Sequence, residues 1–514
     1  MSVIKRNIVW LLISQAATWV ATFVTLLIVP NKLGSTDFGT LGYTVGFLQF
    51  FMLFAGLGTG VFVSREVARD RTIFGDLVWN AVLLKIVLWA VVSAAAFALA
   101  IALGNRGETL ALIAIGCAAM LPALLTEVFT AALGGLEQLA KPAMWAVVSM
   151  YFQTIVGVGV LLAGGGLIVY ALVVSVSSLI PLTATALMSR PYLRGHRVFR
   201  FATWRMLVVG GVPLLTLAFL TLTYGTLDVP ILHSISGSEP VGWYTVAMRW
   251  GSLPVFITTA VVGAHFPAFS KHGKPLTDYF APLVNRSIHV VLLVTIPSAV
   301  GLFFVADQII TLLYDASFDN ATVLVQIIAI GVPIMAMDTI LGTALVATDR
   351  LKRYMVVAGS AAVMNPILCI VAIHAADSRW QNGAIGAAFA TVVTELWIMV
   401  GALRLKAPGV LDGASVVRIL RIAAASALMV PVLLLSSSWP LLARIPLGVV
   451  AYGIGAFLFG CVSRAELTDL VASVRRGNPP AGEEPDNGDV VMETAVGPLA
   501  VPVMPPGDED PVGP

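Results

Sequence analysis

Residues 171–188 read ALVVSVSSLIPLTATALM, eighteen positions without a charge. A helix rises 1.5 Å per residue, so about 20 apolar residues match the roughly 30 Å hydrocarbon core of a bilayer. The run is one of many. Only 11% of the chain is charged, against about 25% in a typical soluble domain, and the mean hydropathy is +0.93. Apolar runs between Gly, Pro and charge punctuation give about fourteen spans, near 8–29, 41–63, 78–103, 109–133, 143–163, 167–188, 206–234, 243–268, 284–305, 321–345, 355–376, 384–403, 418–437 and 443–462. The fold expected is an all-α polytopic membrane protein. The first run, Ile8 to Val29, outlasts a signal-peptide core and lacks an Ala-x-Ala cleavage pattern, so it is expected to be retained as a span. Cys117, Cys369 and Cys461 lie in apolar segments without paired spacing, which predicts buried reduced thiols and neither disulfide nor metal.

The stretch GSTDFGTLGYTV (34–45) returns as GSEPVGWYTV (237–246), and ALGGLEQL (132–139) is echoed by ALVATDRL (344–351). A period of about 200 residues is too long for a solenoid unit of roughly 20–50 residues, so half the protein reads as duplicated. Lys and Arg near span ends mark the cytoplasmic side. With the N-terminus inside, all but six of the 30 basic residues fall there; the exceptions are Lys32, Arg106, Arg379 and Arg444 outside, and Lys85 and Arg249 within spans. Both termini are then cytoplasmic. Both copies of the repeat fall on outer loops, so the repeat is parallel: two six-helix lobes related by a pseudo-two-fold axis along the membrane normal, plus two C-terminal helices. The repeated motif itself reads as a tight turn with an interfacial Tyr.

Two such lobes enclose a cavity that opens to either side by rocking, the layout of a transporter. Predicted outer loops of about a dozen residues or fewer leave no room for an external catalytic domain. No Walker-type loop, His-Glu-x-x-His run or Ser-His-Asp-like cluster occurs, so no enzyme activity, cofactor or nucleic-acid partner is expected.

Three segments carry a family resemblance: LGSTDFGTLGYTVGFLQFFMLFAGLGTGVFVSREVAR (33–69), LDVPILHSISGSEPVGWYTVAMRWGSLPVFITTAVVGAHFPAFSK (227–271) and NPILCIVAIHAADSRWQNGAIGAAFATVVTEL (365–396). Over about residues 1–465 the chain resembles the polysaccharide or O-antigen flippases of the multidrug/oligosaccharidyl-lipid/polysaccharide exporter superfamily. The resemblance implies movement of a polyprenyl-diphosphate-linked saccharide from the inner to the outer leaflet of the cell membrane. It also implies membrane lipids and polysaccharide-assembly proteins as partners. The lipid II flippase branch is similar in span number, but its charged pair in the first span is absent; Ser14, Gln15 and Thr18 are the polar residues there. A drug or cation antiporter of the same superfamily and a transport-dead scaffold are the alternatives.

Charges inside spans are costly in lipid and are the candidate site. With a turn over about 235–242, Asp228 and Arg249 lie at similar depth on antiparallel neighbours. Two roles fit: Arg249 holds a diphosphate or sugar acid while Asp228 orients it or takes a coupling proton, or the two form a buried pair that glues their spans. In the resemblance Arg249 matches a cavity-facing Arg, and Asp228 only a recurrent acid. Lys85 and Gln15 are further cavity candidates. Glu127, Asp338 and Glu395 are candidates for ion coupling, or for interhelical hydrogen bonds; Glu127 and Asp338 occupy corresponding spans and are expected to face one another. Packing at span ends is the expectation for His233, His265 and His289. Pro213, Pro254, Pro297 and Pro333 sit inside spans, where neighbouring helices satisfy the freed carbonyls.

These readings divide the chain into an N-terminal lobe (1–189), a basic cytoplasmic linker (190–205), a second lobe (206–405), helices 13 and 14 (406–464) and a cytoplasmic tail (465–514). The Arg-rich linker with interleaved aromatics reads as a helix lying on an anionic leaflet. Residues 477–514 hold no Lys, Arg or aromatic residue and are expected to be disordered.

Overall fold

The computed structural model describes residues 3–193, 198–348 and 350–461, of which residues 3–17, 213, 214, 217 and 221 are described by backbone alone. The tail and the linker arginines Arg194 and Arg197 lie outside the described residues. Helices account for almost the whole of the described chain, and no strand occurs in it. In order they are α1 (Val3–Gly56), α2 (Thr59–Arg69), α3 (Phe74–Ala102), α4 (Gly107–Gly135), α5 (Ala140–Leu162), α6 (Leu167–Ser177), α7 (Leu179–Ser189), α8 (Phe201–Thr226), α9 (Asp228–Ser236), α10 (Ser238–Gly273), α11 (Phe280–Leu313), α12 (Ala321–Val346), α13 (Leu351–Trp380), α14 (Gly383–Leu405), α15 (Gly413–Ala427), α16 (Met429–Leu435) and α17 (Leu441–Leu458).

Among the described residues, twelve helical stretches are long and apolar enough to cross a membrane. The first, Thr18–Arg69, is 52 residues long and breaks at Gly34 (φ 75°, ψ 170°). One further stretch completes the set: the apolar segment Phe201–Val212 opens α8, which runs into α9. Dividing the first stretch at Gly34 and adding α8–α9 accounts for the fourteen spans read from the sequence. The span expected over 41–63 is itself interrupted, because Leu57 (φ 51°) and Gly58 (φ 64°) separate α1 from α2. The linker is also shorter than expected. A 3-10 turn covers Arg190–Leu193 and α8 begins at Phe201. Buried Asn80 ties this connection to α3: its side chain donates to the Val198 carbonyl at 3.0 Å and accepts from the Arg200 N–H at 2.9 Å.

Several helices run through internal prolines, and at two of these a neighbouring side chain replaces the lost bond. Pro30 and Pro297 lack the N–H that would bond the carbonyl four residues back. Those carbonyls, on Leu26 and Leu293, accept from the hydroxyls of Tyr314 (3.3 Å) and Tyr452 (2.7 Å). The second bond also ties α17 to α11.

The repeated motif turns out not to be a loop. Each copy is a one-residue corner, Gly34 or Gly237 (φ 85°, ψ −169°), followed directly by helix. The two copies pack on each other. A Cβ on Gly39 would lie 1.7 Å from the Ser238 carbonyl oxygen, and one on Gly242 would lie 2.1 Å from that of Ser35. These positions are equivalent in the register that pairs Gly34 with Gly237, so the contact is reciprocal, as at a two-fold interface. The Thr40 hydroxyl donates to the Ser238 hydroxyl at 2.9 Å and the Ser35 hydroxyl to the Glu239 carboxylate at 3.3 Å. Ser317, after α11, holds both copies: its hydroxyl accepts from the Ser35 N–H (3.1 Å) and its carbonyl from the Trp243 indole (2.6 Å).

Lipid offers helices no hydrophobic drive to associate, so close packing of small residues has to supply it. Gly39→Ala and Gly242→Ala are each expected to cost about 1–3 kcal/mol or more through overpacking against backbone. Gly159→Ala, where a Cβ meets nothing within 4 Å, is expected to be neutral or mildly stabilising. Thermal unfolding of the purified variants checks the contrast.

Candidate functional site

The seam between α1 and α10 decides which way the charges of α10 point. Gly242 and Arg249 are seven residues apart, which on a helix leaves them within about 20° of each other. Arg249 therefore shares the seam face. Its guanidinium carbon lies 5.6 Å from the centre of the Phe38 ring on α1, a cation–π distance. The phenols of Tyr170 and Tyr314 are within its electrostatic reach, and Tyr314 is fixed by the Trp250 indole at 2.9 Å. Arg249 is partly buried, and among the described residues no carboxylate lies within salt-bridge distance of it. In the glycine register Arg249 corresponds to Gly46, which packs close to Val229.

Asp228 belongs to a different environment. Tyr244 precedes Arg249 by five residues, so the two point about 140° apart around α10. The Tyr244 hydroxyl donates to the Asp228 carboxylate and lies 2.9 Å from the Thr391 hydroxyl on α14; Asp228 also accepts from the Val229 N–H at 2.9 Å. All three side chains are buried. The buried Asp228–Arg249 pair, one of the two roles read from the sequence, is not found among the described residues. A single-residue corner replaces the expected eight-residue turn, which puts Arg249 eleven residues into α10, and the helix rotation faces it away.

Lys85, a cavity candidate in the sequence, is fully buried on α3. Its ammonium donates to a Glu127 carboxylate oxygen at 3.0 Å and to the Gly56 carbonyl at 2.5 Å. Glu127 on α4 keeps 38% of its side chain exposed. It thus pairs within its own half instead of facing Asp338. Asp338 on α12 is buried with one carboxylate oxygen lacking a hydrogen-bond partner among the described residues. Glu395, Tyr224 and Tyr354 are within its electrostatic reach. Gln15 lies on the part of α1 described by backbone alone. His233 stacks on Tyr43 at 3.7 Å, His265 meets the Ser287 hydroxyl at 2.9 Å, and His289 meets the Cys461 carbonyl at 3.1 Å, all packing roles.

Sequence reading missed Phe38, Tyr244, Thr391 and the interruption at Leu57–Gly58. The spacing 242–249 was the available signal for the seam face. Nothing in the sequence marks Tyr244 as the partner of Asp228, because the repeated Tyr-Thr-Val triplets are two residues out of the glycine register. Tyr43 accordingly contacts His233 and not an acid. The three cysteines are buried free thiols, and no cluster of three or more His, Cys, Asp or Glu suited to a metal occurs among the described residues.

A double-mutant cycle separates the two environments. Asp228→Asn and Tyr244→Phe share a buried bond and are expected to couple by about 0.5–3 kcal/mol, whereas Asp228→Asn and Arg249→Gln are expected to add within about 0.5 kcal/mol. Unfolding free energies of the single and double variants provide the measurement.

Comparison with known proteins gives this geometry a setting. Residues 4–272 match the family described as polysaccharide biosynthesis protein, and residues 213–371 match the MatE family. The succinoglycan biosynthesis transport protein ExoT of Rhizobium meliloti is 24% identical over 344 residues, covering 64% of this chain and 66% of ExoT. A probable low-salt glycan biosynthesis flippase of Haloferax volcanii is 24% identical over 251 residues, covering 47% of this chain and 50% of that protein. The chain thus matches just under two thirds and half of the length of these relatives. Among solved structures, the lipid II flippase MurJ in an inward closed conformation superposes with a TM-score of 0.73 at 17% identity, covering 87% of this chain and 98% of MurJ. An inward-facing multidrug resistance transporter of the MATE family follows with a TM-score of 0.58 at 14% identity, covering 74% and 94%. At these identities the likeness is one of fold. The first family match takes in more than half of the chain, including both copies of the repeat and Arg249, and on that ground the chain belongs to the polysaccharide biosynthesis protein family.

Proposed function

We propose that this protein moves a polyprenyl-diphosphate-linked oligosaccharide, a precursor of a cell-envelope polysaccharide, from the inner to the outer leaflet of the cytoplasmic membrane by alternating access, without catalysing a reaction. The observation that carries the reading is Arg249. A guanidinium within a span costs about 2.5–3.5 kcal/mol or more on insertion scales, so it needs compensation. The Phe38 ring supplies part of it, and among the described residues no carboxylate lies within salt-bridge distance to supply the rest. A planar, two-pronged donor left without an anion suits a diphosphate, which accepts two parallel hydrogen bonds. The seam placement supports the mechanism, because a group held by one half against the other senses the rocking of the two. The sequence names of the relatives, a succinoglycan transport protein and a glycan flippase, support a glycan cargo. Asp338, one oxygen of which lacks a hydrogen-bond partner among the described residues, and Glu395 are the acids we assign to a coupling proton or cation. Lipids of the bilayer and the enzymes that assemble the polysaccharide are the expected partners.

Reconstituted in vesicles with a polyprenyl-diphosphate oligosaccharide, Arg249→Lys is expected to slow transport about tenfold or more, as a point charge replaces the fork, and Arg249→Ala to abolish it. Both proteins should still insert and fold. Undiminished transport by folded Arg249→Ala overturns the assignment.

Orientation follows from the basic residues. Cysteines placed at the exposed positions Arg106 and Gln381 are expected to react with an impermeant maleimide from outside intact cells, and those at Lys141 and Lys271 only after the cells are opened. The reverse pattern would invert the topology.

A further inference from the structure

The interruption between α1 and α2 is a place where lipid should not tolerate free backbone, and its chemistry is complete. Leu57 and Gly58 adopt left-handed conformations, so the chain stops and restarts within one span. The Gly56 carbonyl at the C-terminal end of α1 accepts the Lys85 ammonium at 2.5 Å and the Thr59 hydroxyl at 3.0 Å. Glu127 lies across the gap. One of its oxygens accepts from Lys85 at 3.0 Å, and the other lies against the first turn of α2, where a Cβ on Gly60 would sit 2.6 Å from it. The cation therefore meets the negative end of one half-helix and the carboxylate the positive end of the next, the arrangement that both helix dipoles favour.

Interrupted membrane helices use these groups, a freed carbonyl at a half-helix C-terminus and a nearby oxygen set, to coordinate a small monovalent cation. Here the Gly56 carbonyl and the Glu127 carboxylate converge on a position that Lys85 already fills, with the Thr59 hydroxyl bonded to the same carbonyl. Lys85 is fully buried, so it is closed to a large cargo, and Thr59 is buried beside it. We infer that Lys85 acts as a tethered cation: its ammonium permanently occupies what would otherwise be a monovalent-cation site in the first half of the protein. Any coupling cation then acts elsewhere. The inference stands independently of the cargo assigned above.

The test removes the tether and offers the free ion. In the purified full-length protein in lipid nanodiscs, thermal unfolding is followed in sodium chloride and in choline chloride of equal ionic strength. Lys85→Met keeps the length of the side chain and empties the cation position. Sodium is expected to raise its unfolding temperature by about 3 °C or more beyond any shift in the parent protein, as mass action requires of a ligand that binds only the folded state. Lys85→Met combined with Glu127→Gln removes the counter-charge and is expected to lose that extra shift. Should Lys85→Met not be recovered in sodium-poor medium, recovery in sodium-rich medium supports the inference equally. An equal sodium response in Lys85→Met and the parent protein overturns it, as does failure to recover Lys85→Met under both conditions.

Discussion

The approach of backbone to backbone at Gly39 and Gly242 governs how the two halves of the chain meet. Each glycine lies where any side chain would strike a carbonyl of the opposite copy, at Ser238 or Ser35. Because the contact is reciprocal, a single sequence element written twice produces both sides of it. Helices α1 and α10 are thereby fixed side by side, and the rotation of α10 follows: the face of Gly242 and Arg249 is turned to α1, and Tyr244 is turned to Asp228 and Thr391. The positions of the charged groups are consequences of that seam.

A second constraint runs through the whole molecule. In a bilayer no water satisfies a freed carbonyl, so protein groups must. Tyr314 serves Leu26 behind Pro30, Tyr452 serves Leu293 behind Pro297, Lys85 serves Gly56 at the interrupted span, and the Arg444 guanidinium serves Leu433 at the end of α16 at 2.8 and 3.2 Å. Buried Lys85 and Arg444 are explained by these bonds. Arg249 differs from them in that its guanidinium lies over the Phe38 ring, with the phenols of Tyr170 and Tyr314 within electrostatic reach and no carbonyl or carboxylate hydrogen-bonded to it among the described residues. The difference separates groups that complete the fold from the one to which our proposal assigns the substrate anion.

The membrane class, the approximate spans and the duplication were legible in the sequence, because an apolar run of sufficient length has few folded outcomes in a bilayer and a repeated motif needs no coordinates to be noticed. Span boundaries extended past the apolar runs, as at α11 and α13, since helices continue through the polar margin where hydropathy no longer marks them. The family was legible too, through the order of degenerate motifs along the chain. Candidate residues were legible as a set, because charges within apolar runs are few.

Their partners were not. Sequence spacing placed Asp228 and Arg249 at similar depth but carried no information on a turn reduced to one glycine, or on the 140° or so that five residues put between Tyr244 and Arg249. It paired Glu127 with Asp338 by the symmetry of the repeat, whereas the structure pairs Glu127 with Lys85, whose ammonium is drawn to the carbonyl exposed at Leu57–Gly58. Sequence alone determined what the chain must do with its apolar surface, since that depends on composition and length. Which charge meets which acceptor was decided only by the tertiary structure, because hydrogen bonds and ion pairs depend on helix rotation and on distances of a few ångströms that no periodicity records.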